Sequence, residues 1–317
     1  DLGFEEWVSH KNDATGRTGA YPKGWYAPIN AITSGDKGTY YPDENSAESP
    51  EKTQGEKGAK LSTVYLLTSA EAMPGFLSLS EPTVNVGYWG LGAINQSSTL
   101  SFGAPRPFRN TPDQVQLDYK YQEHQNKANG WHFVYNANQQ KQVDHAQPFA
   151  DMDKEWHTLT QEISYAADFE PATLDILITA APSEVPSDYY TNFGTNSSTS
   201  TMYFDNLRLN YSSILNGVYV NDVAAIIAGT DITATIDADY YGEPTLHFAH
   251  AVKDQMPVVT WTAESNGVRT ATIINYAEDL SSTTYTLTVT RPISNTTTCT
   301  YTLEGDNLTV IKGSPYQ

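Results

Sequence analysis

The sequence has one cysteine, no long apolar run, few positive charges and almost no helical periodicity. Each shortage excludes something. Cys299 is the single cysteine in 317 residues, so no disulfide can form within the chain. One thiol suits a cytosolic protein and a bacterial envelope protein equally. No stretch approaches the ~18 apolar residues that a spanning helix needs, so membrane insertion by this segment is not expected. No positively charged apolar leader opens the chain, so export implies that a leader was removed. Lys and Arg total 18 against 37 Asp and Glu, a net charge of −19. Such a surface repels nucleic acid and anionic lipid, and leaves neutral sugars as compatible partners. Helical signal is confined to Ser69-Ala70-Glu71-Ala72-Met73-Pro74, at most one turn that the proline ends. G-x-S-x-G, a phosphate loop and a dinucleotide fingerprint are all missing, so nucleophilic hydrolase and nucleotide chemistry have no support.

What the chain does contain is strand. The 21 Tyr and 6 Trp, with many Thr, Ser and Asn, read as an extracellular or periplasmic all-β protein. Strands are expected at Leu61 to Thr68, Thr99 to Phe102, Gln114 to Tyr121, Trp131 to Tyr135, Trp156 to Tyr165, Thr173 to Thr179 and Met202 to Tyr211. In Gln114 to Tyr121, Val115, Leu117, Tyr119 and Tyr121 share one face by the period of two. This series predicts a jelly-roll β-sandwich over residues 1–213. Thr33 to Lys60 and Ser183 to Ser200 lack apolar periodicity and read as long surface loops. Residues 214–317 carry shorter strands, an Asn266-Gly267 hairpin signal and a closing hairpin at Cys299 to Ile311. Their number and spacing predict a smaller immunoglobulin-like β-sandwich.

Sugar recognition needs flat aromatic faces and planar polar side chains. Trp25, Tyr26, Tyr88, Trp89 and Trp131 are the candidate faces. Gly24-Trp25-Tyr26 and Gly87-Tyr88-Trp89-Gly90 set aromatics beside glycines, which favours exposure. The plainer reading is that these rings anchor the core, since tryptophan is more often buried than ligand-bound. Asn30, Arg106 and Lys120 are the candidate polar partners, although an inward Lys120 would have to be paired structurally. For catalysis the best local carboxylate cluster is Asp151, Asp153 and Glu155, which lacks the E-x-D-x-x-E pattern of laminarinase-like jelly rolls.

Several short motifs point to one family through their order. They are Gly3-Phe4-Glu5-Glu6-Trp7, Gly24-Trp25 with Asn30, the Leu61 to Thr68 strand, the Gly103 to Phe108 segment around Arg106, Asp118-Tyr119-Lys120-Tyr121 and Phe204-Asp205-Asn206-Leu207. Over residues 1–213 the chain resembles the carbohydrate-metabolism-domain (PCMD-type) surface proteins of Bacteroidetes. The resemblance implies a jelly-roll carbohydrate-binding-like domain joined to an immunoglobulin-like one. It implies an exported protein of the periplasm or outer-membrane surface, anchored through lipid, with an oligosaccharide or polysaccharide as partner. It also implies a structural calcium between Glu5 and Asp205, an ion that takes about six to eight oxygen ligands. The expectation is non-catalytic glycan binding by aromatic stacking on the first domain. The alternatives are a glycoside hydrolase with a carboxylate pair in the jelly-roll cleft, and a structural surface or adhesin subunit. Oligomeric state is not legible.

Overall fold

The computed structural model describes residues 2–34, 42–65, 72–73, 75–85, 89–90, 93–94, 99–102, 105–124, 130–137, 140–149, 151, 153–165, 171–180, 200–249, 256–293, 297–303 and 306–312. The chain divides into two compact units, Asp1–Asn210 and Tyr211–Gln317. The architecture is all-β, of the sandwich kind. Among the described residues the helical content is one four-residue helix, Pro28–Ala31, and one 3-10 turn, Pro42–Glu44.

In the first unit, five antiparallel strands form one sheet in the order His157–Glu162, Gln114–His124, Ser200–Asn210, Gly58–Ser62 and Ser46–Ser49. A second sheet runs Arg106–Pro107, Thr173–Thr179, Gly130–Ala137 and Gln140–Pro148, and Phe76–Ser78 also pairs with Thr173–Thr179. The alternation in Gln114–His124 has the outcome it requires: Val115, Leu117, Tyr119 and Tyr121 are all buried. They share one apolar cluster with Phe4, Trp25, Ile176, Ile178 and Phe204. Phe149 packs between Tyr119 and Phe204, with ring centroids 4.7 and 5.3 Å away. Tilted aromatic contacts of this kind add about 0.5–1.5 kcal/mol each to the area they bury.

In its described part, the stretch expected as one long loop from Thr33 to Lys60 is largely not loop. It contains the end of Ile32–Ser34, the turn Pro42–Glu44, the edge strand Ser46–Ser49 and the start of Gly58–Ser62. No apolar alternation announces Ser46–Ser49, because hydrogen bonding holds it instead. Ser46 Oγ donates to the Ala20 carbonyl at 3.2 Å, and the buried Asn45 donates Nδ2–H to the Ser62 carbonyl at 2.8 Å. Residues 35–41 of that stretch lie outside the described residues; among the described ones, what remains loop-like is the segment 50–57, exposed over nearly its whole length.

In the second unit, Val223–Ala224, Gly217–Val220 and Leu246–Ala249 form a three-stranded sheet. Ile226–Ala228, Asp231–Thr235, Ser282–Thr290, Val268–Tyr276 and Val258–Trp261 form a five-stranded one, in which Asp231–Thr235 runs parallel to Ser282–Thr290. Val218, Val220, Ile232, Ile273, Leu287 and Val289 make its separate core. Asn266 and Gly267 both adopt positive φ, 52° and 72°. That is the backbone a tight two-residue hairpin needs, and the Asn-Gly signal anticipates it. The closing hairpin pairs Thr297–Leu303 with Asp306–Lys312.

Candidate functional site

Trp25 is not on the surface. It is 2% exposed and its ring lies 5.8 Å from that of Phe4 in the first unit's core. Gly24, at φ +88°, supplies the turn that sends the indole inward, the opposite of the exposure its glycine neighbour suggests. Tyr26, half-buried, exchanges two backbone hydrogen bonds with Ser78, at 2.8 and 2.9 Å. Asn30 Oδ1 accepts the Ala27 N–H at 2.7 Å and closes the start of the helix Pro28–Ala31. Arg106 donates Nε–H to the Leu79 carbonyl at 3.0 Å and an Nη2–H to the Gly24 carbonyl. Thus Asn30 and Arg106 spend side-chain polar atoms on the backbone of the segment that carries Trp25 and Tyr26, while the buried Trp25 Nε1 has no hydrogen-bond partner among the described residues. Asn30 and Arg106 clamp the 24–30 segment, and of its two aromatic rings only that of Tyr26 is half-buried rather than enclosed. Trp89 and Trp131 sit on the strands Trp89–Gly90 and Gly130–Ala137, which belong to different sheets. Their side chains and Tyr88 lie outside the described residues.

Glu5 and Asp205 converge on the segment 50–57. Asp205, 2% exposed, accepts at Oδ2 from Thr53 N (2.6 Å), Gln54 N (2.8 Å) and Thr53 Oγ1 (3.0 Å). Glu5 Oε2 accepts from Glu56 N at 2.9 Å and Lys57 N at 3.1 Å. A cation needs oxygens at those positions, whereas N–H groups occupy them. The residues present do not fit a calcium site at these two oxygens. Among the described residues no three His, Cys, Asp or Glu side chains gather as a metal cage. Lys120 pairs with Glu51 at 2.9 Å and ties down the start of the same segment.

Asp118 stands directly across the ladder from Asp205, also buried. Two carboxylates opposite each other repel unless donors intervene. The single proton of the Thr53 hydroxyl is shared between Asp205 Oδ2 and Asp118 Oδ2, the latter 2.7 Å away; Asn206 Nδ2 donates to that Asp118 oxygen at 2.9 Å, and Thr158 Oγ1 to Oδ1 at 2.7 Å. Asn206 reaches Asp118 because the strand bulges there: its φ is +52° and the register shifts between Gln116 and Asp118. Both carboxylates are buried, with Asp118 held at both oxygens and Asp205 at Oδ2 by protein donors.

In the Asp151–Glu155 cluster the exposed Asp151 and Asp153 carboxylates accept hydrogen bonds from the protein. His157 lies between Asp153 Oδ1 (2.6 Å) and Asp151 Oδ2 (3.5 Å), and Tyr119 Oη donates to Asp151 Oδ2 at 3.1 Å. The hydrogen bond from His157 holds the Asp153 carboxyl below the usual carboxylate range. Burial foremost, with the Asp151 charge adding, pushes the Tyr119 phenol up to about 12. The fold therefore favours the neutral phenol. Its contribution to stability is intact below the ordinary tyrosine value of about 10 and is lost as pH climbs from there through the folded value. In an alkaline titration followed by phenolate absorbance, Tyr119→Phe should lack one late-ionising tyrosine. An unchanged late fraction would place the slow titration elsewhere.

A polar arrangement lies on the outer face of the sheet that carries Gln114–His124. Its side chains form rows across three strands. Asn210 Nδ2 donates to Gln114 Oε1 (2.8 Å), and Gln114 Nε2 donates on to Glu162 Oε1 (2.6 Å). Arg208 Nε donates to Gln116 Oε1 (2.7 Å), and Gln116 Nε2 to Thr160 Oγ1 (3.2 Å). The Asn206–Asp118–Thr158 row lies beyond them. Each glutamine amide is gripped at both ends, so the planar groups are fixed before any ligand arrives. Thr160 and Glu162 are exposed, and Gln114, Gln116, Arg208 and Asn210 are half-exposed. Sequence reasoning missed this face although its signal was present: Gln114, Gln116 and Asp118 are the complement of the inward Val115, Leu117 and Tyr119.

No family model matches the sequence, and no curated protein matches it. Among solved structures, a cyclase from Fischerella sp. TAU matches at 12% identity, over 66% of this chain and 95% of its own, with a TM-score of 0.26. A superposition at that score carries no argument about fold or chemistry.

Proposed function

We propose that this is a non-catalytic saccharide-binding protein of the bacterial envelope, with the first unit as its binding module. One observation carries the reading: the outer-face rows built on Gln114 and Gln116 present planar donors and acceptors in fixed orientation on an open surface. Sugar hydroxyls both donate and accept, so such rows can exchange water for ligand at little cost in side-chain order. The engagement of Asp118, Asp205, Asp151 and Asp153 by protein donors supports binding over hydrolysis. The net charge of −19 favours a neutral glycan. The resemblance to Bacteroidetes surface proteins points the same way. The half-buried Tyr26 remains a candidate stacking face, whereas Trp25 does not.

A glycan array with the wild type and a Gln114→Ala/Gln116→Ala double variant tests this. Each lost hydrogen bond is worth about 1 kcal/mol, so the variant should bind the same glycans at least about tenfold more weakly. Binding should be insensitive to added salt, because no ion pair is required. A wild type that binds no glycan, or a variant that binds as well as the wild type, overturns the assignment.

A further inference from the structure

The second unit carries a surface unlike the rest of this acidic chain. In the strand Ser282–Thr290, Thr284, Thr286, Thr288 and Thr290 alternate with Tyr285, Leu287 and Val289, which are buried. The threonines therefore share the outer face of the five-stranded sheet. On one side, Thr270 and Thr272 stand opposite Thr288 and Thr286, and Thr260 stands opposite Thr272. On the other side, Thr233 and Thr235 stand beside Thr288 and Thr290. Thr262 continues the edge strand, with its Oγ1 2.9 Å from that of Thr270. The result is a two-dimensional grid of hydroxyls and methyls. Its repeats are about 4.8 Å between strands and about 6.7 Å along them. Val258, 50% exposed, and Ile226, 71% exposed, mark its two edges.

Three properties of this grid limit what can cover it. Asp231 is the one charged residue on this face of the described strands, in a protein of net charge −19, so the partner is neutral. Apart from the Thr262–Thr270 pair, none of these hydroxyls has a hydrogen-bond partner among the described residues. An apolar protein surface would strand them at about 1–3 kcal/mol each, so the partner has hydroxyls of its own. Threonine is stiff at χ1, so the hydroxyl positions are set in advance and little entropy is lost on binding. The regular repeat suits an extended and repeating partner better than a single small ligand.

We infer that the threonine face of the second unit docks onto the surface of an extended neutral polysaccharide. This site is separate from the rows of the first unit and does not depend on them. Full-length protein should be incubated with suspensions of microcrystalline cellulose and of chitin, and the protein left in the supernatant measured. Depletion by at least one suspension is expected. A Thr272→Lys/Thr286→Lys variant should bind at least tenfold more weakly. Thr272→Val/Thr286→Val keeps shape and strand preference but removes two hydroxyls, and should also bind more weakly. It decides the matter if thermal melting shows that the lysine variant has not folded. Binding to soluble glycans on the array, which rests on the first unit, should be unaltered in the Thr272→Val/Thr286→Val variant, which separates this site from the first. No depletion by either suspension, or a folded threonine variant that binds like the wild type, overturns the proposal. Inhibition of ice recrystallisation without polysaccharide binding overturns it too, in favour of an ordered-water surface.

Discussion

Trp25→Ala should cost about 3–5 kcal/mol of folding stability, the usual cost of truncating a large aromatic in a packed core. The indole is fully enclosed and lies against Phe4, inside a cluster that draws on both sheets of the first unit. Its removal leaves a cavity that the neighbouring sheets cannot collapse to fill. Urea denaturation should show a lower midpoint with an unchanged slope. Trp25→Phe, which keeps the ring contact with Phe4, should lose much less. Any fall in glycan binding by Trp25→Ala should then track the unfolded fraction. A variant as stable as the wild type but unable to bind sugar would return Trp25 to the ligand site and remove the present account.

Asp205→Ala should be the second large effect, about 3 kcal/mol, from the loss of charge-assisted hydrogen bonds worth about 1.5–3 kcal/mol each. Its Oδ2 accepts two backbone N–H groups and one hydroxyl from a segment more than 150 residues earlier in the chain. Relief of the repulsion from Asp118 offsets part of the loss. Without Asp205, the segment 50–57 should exchange its amide hydrogens faster and become cleavable by protease. Asp205→Asn keeps one acceptor oxygen and should recover part of the stability. A chelator should leave the wild-type melting temperature unchanged, because N–H donors, rather than an ion, satisfy these oxygens. A clear rise in melting temperature on adding calcium would show that the donors give way to a cation and would defeat this reading.

Gly55 illustrates how the same contact is protected from the other side. Its φ is +60°, and a Cβ there would lie 1.7 Å from Glu5 Oε1. Glycine is needed both for the backbone turn and for the approach of the carboxylate. The clustering of Gly55, Glu5 and Asp205 around one segment was not legible from any of the three motifs alone. Glu5 and Asp205, expected to share a calcium ion, instead accept backbone N–H groups from one loop. The signal that could have shown this is the polar, glycine-bearing run Thr53 to Lys57, whose backbone N–H groups have no strand partner. Arg106 followed a similar course. It stands between two prolines, and its guanidinium reaches back to the Gly24 and Leu79 carbonyls.

From the sequence alone came the all-β class, the inward face of Gln114–His124, the Asn266-Gly267 hairpin and the closing hairpin. These rest on alternation and turn chemistry, which are local: a residue's side of a strand is fixed by the residue two places away. Only the tertiary structure decided that Trp25 is core, that Glu5 and Asp205 meet one segment, and that two sheets carry ordered polar faces. Those outcomes depend on which strands become neighbours, on a bulge at Asn206 and on register across the sheets. Such pairings join residues far apart in the chain, and no periodicity within either segment encodes them.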